Sequence, residues 1–327
     1  MTNPQERKLN VAVLLGGDSS ERSVSIKSGR SVVQALNPKI YRVKVYDPSV
    51  DIPRLMRDAH ELDVALIMLH GKGGEDGRIQ GMLDLLGIPY QCAGPLGCAV
   101  AMHKPMSKVL FKSAGLPVAP DLLLHKGRPL DIKHITSLVP LPVVVKPATE
   151  GSSYGVAIVK KKEELLPAIN AAFLLDRQVM VEKFLVGREV TAAVMGDQEP
   201  EPLPLIEIIP SEKYTFFDFS AKYLPGASQE ICPAELDEKQ TRIIQDMAIR
   251  AHQALELEGY SRSDFILTAD GPFILETNTI PGMTETSLLP KAAKAGGYPL
   301  PAFLNKLIDL ALARASNNSP NSCSIQF

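Results

Sequence analysis

Ser261-Arg262-Ser263-Asp264-Phe265-Ile266-Leu267-Thr268-Ala269-Asp270-Gly271-Pro272-Phe273-Ile274-Leu275-Glu276-Thr277-Asn278 reads as two β-rich runs joined by an Asp-Gly turn, the usual sequence signal of a hairpin. With the turn centred near Asp270, Asp264 falls opposite Glu276, and the turn type sets that register to within a residue or two. Two carboxylates facing each other across a ladder repel, and a cation between them reverses the sign. Asn278 lies two residues beyond Glu276 and so points to the same face. An all-oxygen set of two carboxylates and one amide suits magnesium, which takes its remaining ligands from water and phosphates. The competing reading is a solvated acid pair on an exposed face, the ordinary fate of charged side chains. Two features weigh against it: Phe265, Leu267, Phe273 and Leu275, expected to form one apolar face, and the unusual segment Asn278-Thr279-Ile280-Pro281-Gly282-Met283-Thr284.

Working back from the hairpin, Glu238 to Leu257 has a helical pattern, and Ser211 to Pro233, rich in aromatics, Gly and Pro, reads as a long ordered loop. Loops of that length in compact domains usually carry function. Val143 to Pro147 and Val156 to Lys160 read as strands joined by Glu150-Gly151-Ser152-Ser153-Tyr154-Gly155. This strand-to-strand loop is not a P-loop. Its small residues can still bring backbone amides close to phosphate oxygens, with Lys146 in reach, and a plain surface hairpin is the alternative. Val181 to Leu185 is compatible with a backbone strip that reads an adenine edge, and equally with an ordinary strand end. Lys104, taken alone, says nothing.

The chain's beginning has a different grammar. Asn10 to Leu15, Tyr41 to Tyr46 and Val64 to Leu69 are apolar runs separated by helical segments, which predicts an open parallel sheet with right-handed crossovers. Ligands in such sheets gather beyond the carboxyl ends of the strands. Glu21 follows the first strand's Gly16-Gly17 turn, and His70 closes the third strand and opens a glycine-dense loop. The expected class is therefore α/β and α+β: an N-terminal open parallel α/β domain (1–100), then a central (101–188) and a C-terminal subdomain (189–315), with a disordered tail (316–327).

The formal net charge of -2 provides no global basic field for nucleic acid. None of the four cysteines falls in a CxxC pair. No apolar run approaches the ~20 residues of a membrane span, so a cytoplasmic protein is expected. No GxGxxG follows a strand, which disfavours a nicotinamide-dependent oxidoreductase.

Together the segments resemble the D-alanine–D-alanine ligase family of the ATP-grasp superfamily from about Asn10 to Leu312. The motifs, in the family's order, are LLGGDSSERSVS (14–25), HGKGGEDGRIQGMLDLLGIPY (70–90), VKPATEGSSYGV (145–156), EKFLVGREVT (182–191), AKYLPG (221–226), SRSDF (261–265) and ETNTIPGMTETSLLP (276–290). The resemblance implies ATP-dependent joining of two D-alanines through a D-alanyl phosphate, for peptidoglycan synthesis. It implies a homodimer and one or two magnesium ions, with manganese a tolerated substitute, held by Asp264, Glu276 and Asn278. Lys104, Lys146, Glu150, Ser152, Ser153, Glu182, Lys183, Phe184, Leu185, Glu189 and Lys222 match the ATP site. Glu21, His70, Arg262, Ser287 and Leu288 match the D-alanine sites. Arg262 and the Gly282 amide match the oxyanion donors, and Ser152 and Tyr223 match partners of Glu21. Tyr223 favours an amine over the hydroxyl of D-lactate as second nucleophile. Alternatives within the superfamily are a ligase for another carboxylate or nucleophile and a non-catalytic ATP-binding protein. The chain departs from the family pattern at His103 and at Gln91-Cys92-Ala93, which places the local packing there in question.

Overall fold

The computed structural model describes residues 7–151, 154–210 and 228–318. Its first unit is β1 (Leu9–Leu14), α1 (Arg22–Ala35), β2 (Tyr41–Tyr46), α2 (Pro48–Asp58), β3 (Val64–Ile67) and α3 (Arg78–Leu85). The strands form a parallel sheet ordered β2-β1-β3. Val11 to Leu14 and Val64 to Ile67 are fully buried, as the unbroken apolar runs predicted. The carboxyl ends of β1 and β3 are tied by Ser25, whose hydroxyl accepts from the Gly16 amide at 2.8 Å and donates to the Met68 carbonyl at 2.7 Å.

Between the first two sheets lie two helices, α4 (Pro95–Met102) and α5 (Lys104–Ser113). The break is at His103. Its Nδ1 accepts from the Met106 amide at 3.2 Å, as an N-cap side chain does, and its Nε2 meets Gln178 Oε1 at 2.8 Å. Pro105 sits in the first turn of α5, where a missing N–H costs nothing. The departure at His103 is thus a working helix cap.

The second unit is β4 (Asp121–His125), α6 (Ile132–Leu138), β5 (Val143–Pro147), β6 (Ala157–Val159), α7 (Lys162–Ala172) and β7 (Gln178–Lys183), with an antiparallel sheet ordered β4-β7-β5-β6. The third contains β8 (Arg188–Met195), β9 (Glu201–Pro202), β10 (Ile206–Pro210), β11 (Ser228–Ile231), α8 (Glu238–Ala254), β12 (Tyr260–Thr268), β13 (Gly271–Asn278), α9 (Leu288–Ala295) and α10 (Leu300–Asn318). Its sheet runs β11-β10-β8-β12-β13, with β9 also pairing with β8.

Two expectations need correction. The loop read from Ser211 to Pro233 gives way to strand at Ser228–Ile231, where Glu207 to Pro210 supplies an antiparallel partner. A short polar edge strand has no apolar period to betray it. Residues 211–227 lie outside the described residues. Residues 316–318, expected in the tail, belong to α10, which continues to Asn318, and Ser316 Oγ bonds back to the Leu312 carbonyl at 3.0 Å; residues 319–327 lie outside the described residues.

Helix α10 also closes the first unit. Phe303, Leu304, Leu307 and Ile308 join the buried cluster built on β1 and β3, together with Tyr260 of β12. This junction holds the other departure. Gln91 is fully buried. Its Oε1 accepts from the Ile67 amide at 2.9 Å, and its Nε2 donates to the Ile67 carbonyl at 2.8 Å and to the Tyr260 hydroxyl at 3.2 Å. The side chain thus pairs with the end of β3 as a neighbouring strand would. The fit is close: a Cβ on Gly259 (φ +71°) would lie 2.0 Å from the Gln91 carbonyl oxygen.

Gln91→Leu keeps the volume and orphans three buried groups, including both backbone groups of Ile67. Each costs roughly 1–3 kcal/mol, so denaturant unfolding is expected to show a loss of about 3 kcal/mol or more. An unchanged midpoint would contradict this account of the junction.

Candidate active site

The hairpin of β12 and β13 pairs Asp264 with Glu276 and Arg262 with Asn278. The ladder near the turn has a different sum, pairing Phe265 with Ile274 and Thr268 with Gly271, and the shift falls between Asp264 and Phe265. Leu275 is the extra residue of this β-bulge. Bulges of this kind re-aim side chains beside active sites. Here Leu275, with Ile266, lines a cleft instead of the core. The apolar face expected of Phe265, Leu267, Phe273 and Leu275 is therefore corrected. The core side is Phe265, Leu267 and Ile274, because the bulge breaks strict alternation.

The facing acids are compensated from both sides. Arg262 Nε and Nη2 donate to the two oxygens of Asp264 at 3.0 and 2.9 Å. Thr191 of β8 donates to Asp264 Oδ1 at 2.6 Å, and Asn278 Nδ2 approaches Asp264 Oδ2 at 3.3 Å. Lys104 Nζ stands 3.5 Å from Glu276 Oε2. Among the described residues no group of three His, Cys, Asp or Glu could hold a metal, so a cation here would need the Asn278 oxygen beside the two carboxylates.

The cleft lies between the β4-β7-β5-β6 sheet and the β8-β12-β13 part of the third. Val144, Val156, Ile158, Ile266 and Leu275 form apolar walls, and Lys104, Lys146, Glu150, Glu182 to Leu185, Glu189, Asp264 and Glu276 supply its polar lining. Lys104 donates to the Glu150 carbonyl at 2.6 Å, and Lys146 lies 3.1 Å from Glu182 Oε2. Lys72 of the His70 loop forms an ion pair with Glu150, so the glycine loop is tied to the first unit. Ser152, Ser153, Lys222 and Tyr223 fall outside the described residues.

A second pocket opens on the other part of the same hairpin face. It is lined by Glu21, His70, Glu75, Arg262, Asn278, Gly282, Ser287 and Leu288, among others. Glu21 ends the turn after β1 and precedes α1. Its Oε1 lies where a Cβ on Gly151 would come within 2.6 Å, so that glycine admits the carboxylate. His70 is buried between the Ser28 hydroxyl (3.1 Å) and the Ile280 carbonyl. Burial lowers its pKa to about 4, aided by the Arg262 charge, so the imidazole is neutral. Ser287 precedes α9 and makes no hydrogen bond to the helix amides. Its Oγ instead meets Thr284 Oγ1 at 2.8 Å, which leaves the helix N-terminus facing the pocket.

Three residues were missed. Glu75 is half-buried in the second pocket and accepts from the Gly71 amide at 2.7 Å. Burial, then the Glu21 charge, pushes its pKa up to about 8. Its signal was present, an acid in the glycine-dense loop, but only His70 was weighed. Thr191 follows Glu189 by two and shares its strand face, the alternation that could have revealed it. Lys108 carried no local signal.

The fold, with its two pockets on one hairpin, defines an ATP-grasp protein. A family model described as the D-alanine–D-alanine ligase C-terminus matches residues 110–309, and one for the N-terminus matches residues 49–93. A "D-alanine--D-alanine ligase" of Syntrophobacter fumaroxidans is 53% identical over 93% of this chain and 98% of its own length. One of Desulfotalea psychrophila is 48% identical over 96% and 98%. The solved D-alanine–D-alanine ligase of Bacillus anthracis complexed with ATP superposes with a TM-score of 0.83 at 31% identity, covering 94% of this chain and 99% of that one. The chain belongs to the D-alanine–D-alanine ligase family. Among the described residues no helix is long and apolar enough to cross a membrane.

Glu75 generates a pH signature. Its folded-state pKa, about 8, lies above the ordinary 4.5. The folded protein thus holds a proton that the unfolded chain releases, and stability from this group is lost as pH rises from about 4.5 through 8. Glu75→Gln is expected to lose less stability than wild type between pH 5 and pH 8 in urea unfolding. Equal losses would contradict the assignment.

Proposed function

We propose that the protein joins two D-alanines at the expense of ATP, through a D-alanyl phosphate, supplying the dipeptide of peptidoglycan precursors. The carrying observation is that one hairpin face lines both pockets: Asp264 and Glu276 in the cleft, Arg262 and Asn278 in the second pocket. A γ-phosphate and a substrate carboxylate would therefore meet over the same few side chains.

In this reading ATP lies in the cleft, with its purine between the apolar walls and its ribose toward Glu189. The amides of Lys183 and Phe184 are already taken by the Pro120 and Pro142 carbonyls, which makes the Leu185 amide the strip's donor to the purine edge. Lys104 and Lys222 neutralise phosphate charge, Lys146 stands beside Glu182 at the base, and Glu150, Ser152 and Ser153 are assigned to the ATP site with them. The Asp264, Glu276 and Asn278 oxygens fit a hard cation once the Asn278 amide turns its oxygen inward. Magnesium (one ion or two, or manganese) would supply charge neutralisation on the phosphates.

Glu21 receives the ammonium of the first D-alanine, with Ser152 and Tyr223 as its partners, and His70 borders it as a neutral donor or acceptor. A carboxylate oxygen attacks the γ-phosphorus and ADP leaves. The second D-alanine places its carboxylate at Ser287 and Leu288, where the N-terminus of α9 favours an anion. Its amine attacks the acyl carbon. Arg262 and the Gly282 amide face the oxyanion that develops, where fixed donors act most strongly. Phosphate then departs with the former carboxylate oxygen. A cytoplasmic homodimer belongs to the same reading, on the strength of the family.

Purified protein with ATP and magnesium should form ADP and dipeptide only when D-alanine is present, with L-alanine and D-lactate poor replacements. Glu276→Gln removes a facing charge without disturbing the ladder. It is expected to lower kcat by about 100-fold or more at an unchanged melting temperature. A wild-type kcat would refute the metal assignment.

A further inference from the structure

Glu182 is held in an unusual way. It pairs across the antiparallel ladder with Asp121 on β4, so two carboxylates again face each other, and again a cation stands between them. Lys108, one turn along α5 from Lys104, reaches 3.0 Å from Glu182 Oε2 and 3.1 Å from Asp121 Oδ1. It also donates to the Ala119 carbonyl at 2.8 Å. Its side chain is 2% exposed, so this three-way anchorage is sealed from solvent. Lys146 engages Oε2 of Glu182 as well, from the cleft side. Both lysines thus use the same oxygen, which leaves Oε1 as the oxygen that can accept from a ligand.

Adenine presents on its Hoogsteen edge an acceptor, N7, beside a donor, the 6-amino group. Guanine presents two acceptors, N7 and O6. A lysine beside a carboxylate complements the first pattern, whereas the carboxylate repels O6 in the second. That choice works only if the carboxylate is ionised and stationary. We propose that Lys108 is a positioning residue for the nucleobase: by pinning Glu182, it lets Glu182 and Lys146 select adenine over guanine. The inference rests on reading the cleft as the nucleotide site. Without Lys108, Asp121 keeps Lys112 at 3.0 Å. Glu182 keeps only Lys146 as a cation among the described residues, and that lysine is drawn away from the base.

The test compares kcat/KM for ATP, GTP and purine riboside triphosphate, which lacks the 6-amino group, in wild type and Lys108→Met. The ATP/GTP ratio should fall by about tenfold or more, as expected for disturbing a charged hydrogen-bond site. The loss should sit in KM for ATP, with KM for D-alanine unchanged, and purine riboside triphosphate should lose far less than ATP. Equal losses for all three nucleotides, or none, would overturn the proposal and leave Lys108 a structural residue. If Lys108→Met does not fold, Lys108→Gln, which keeps a donor for the Ala119 carbonyl, is measured against the same expectations. The nucleotide-site reading fails separately: wild type would then not discriminate ATP from GTP, and Glu182→Gln would change nothing.

Discussion

Two carboxylates placed opposite each other in a half-buried antiparallel ladder destabilise it unless positive charge is supplied. At Asp264 and Glu276 that requirement organises the molecule. Arg262 grips Asp264 through two parallel hydrogen bonds, Lys104 approaches Glu276 from helix α5, and Thr191 fixes the Asp264 rotamer from the neighbouring strand. Helix, glycine loop and two strands are thereby drawn to one face. A bound cation would take over part of this compensation and release Arg262 and Lys104 toward substrate groups.

The same device recurs at Asp121 and Glu182, where Lys108 is the counter-charge. Pairing one acid with several cations in a low-dielectric setting makes each group's position depend on the others. Both arrangements border the cleft, through Asp264 and Glu276 in one and Glu182 in the other. Between the pockets, the approach of Glu21 to Gly151 and the Lys72–Glu150 ion pair tie the glycine loop to the first unit.

Much of this was legible in the sequence. Unbroken apolar runs marked β1 and β3, and the Asp-Gly turn marked the hairpin, because burial and turn chemistry leave local traces. The Asp264–Glu276 pairing was read correctly from a turn centred near Asp270, although the observed ladder, centred between Ala269 and Asp270, would on its own continue to Leu275 opposite Asp264; the bulge supplies the extra residue. That bulge left no trace, so Leu275 and Phe273 were assigned to the wrong face. Strand β11 was hidden because its order comes from β10 and not from its own residues. Gln91 and His103 looked like anomalies in the chain, and only tertiary contacts show one closing a sheet edge and the other capping a helix. Lys108 reads as any surface lysine until the fold places two acids around it.

The proposed chemistry turns on one event, the attack of a D-alanine carboxylate oxygen on the γ-phosphorus over the Asp264–Glu276 face. Oxygen-18 placed in the carboxylate of D-alanine follows that event atom by atom. After turnover with unlabelled ATP in ordinary water, mass spectrometry of the released phosphate should find one labelled oxygen per dipeptide formed, carried over when phosphate leaves the acyl carbon. Dipeptide accompanied by unlabelled phosphate would contradict the acyl-phosphate route and the placement of the two pockets that leads to it.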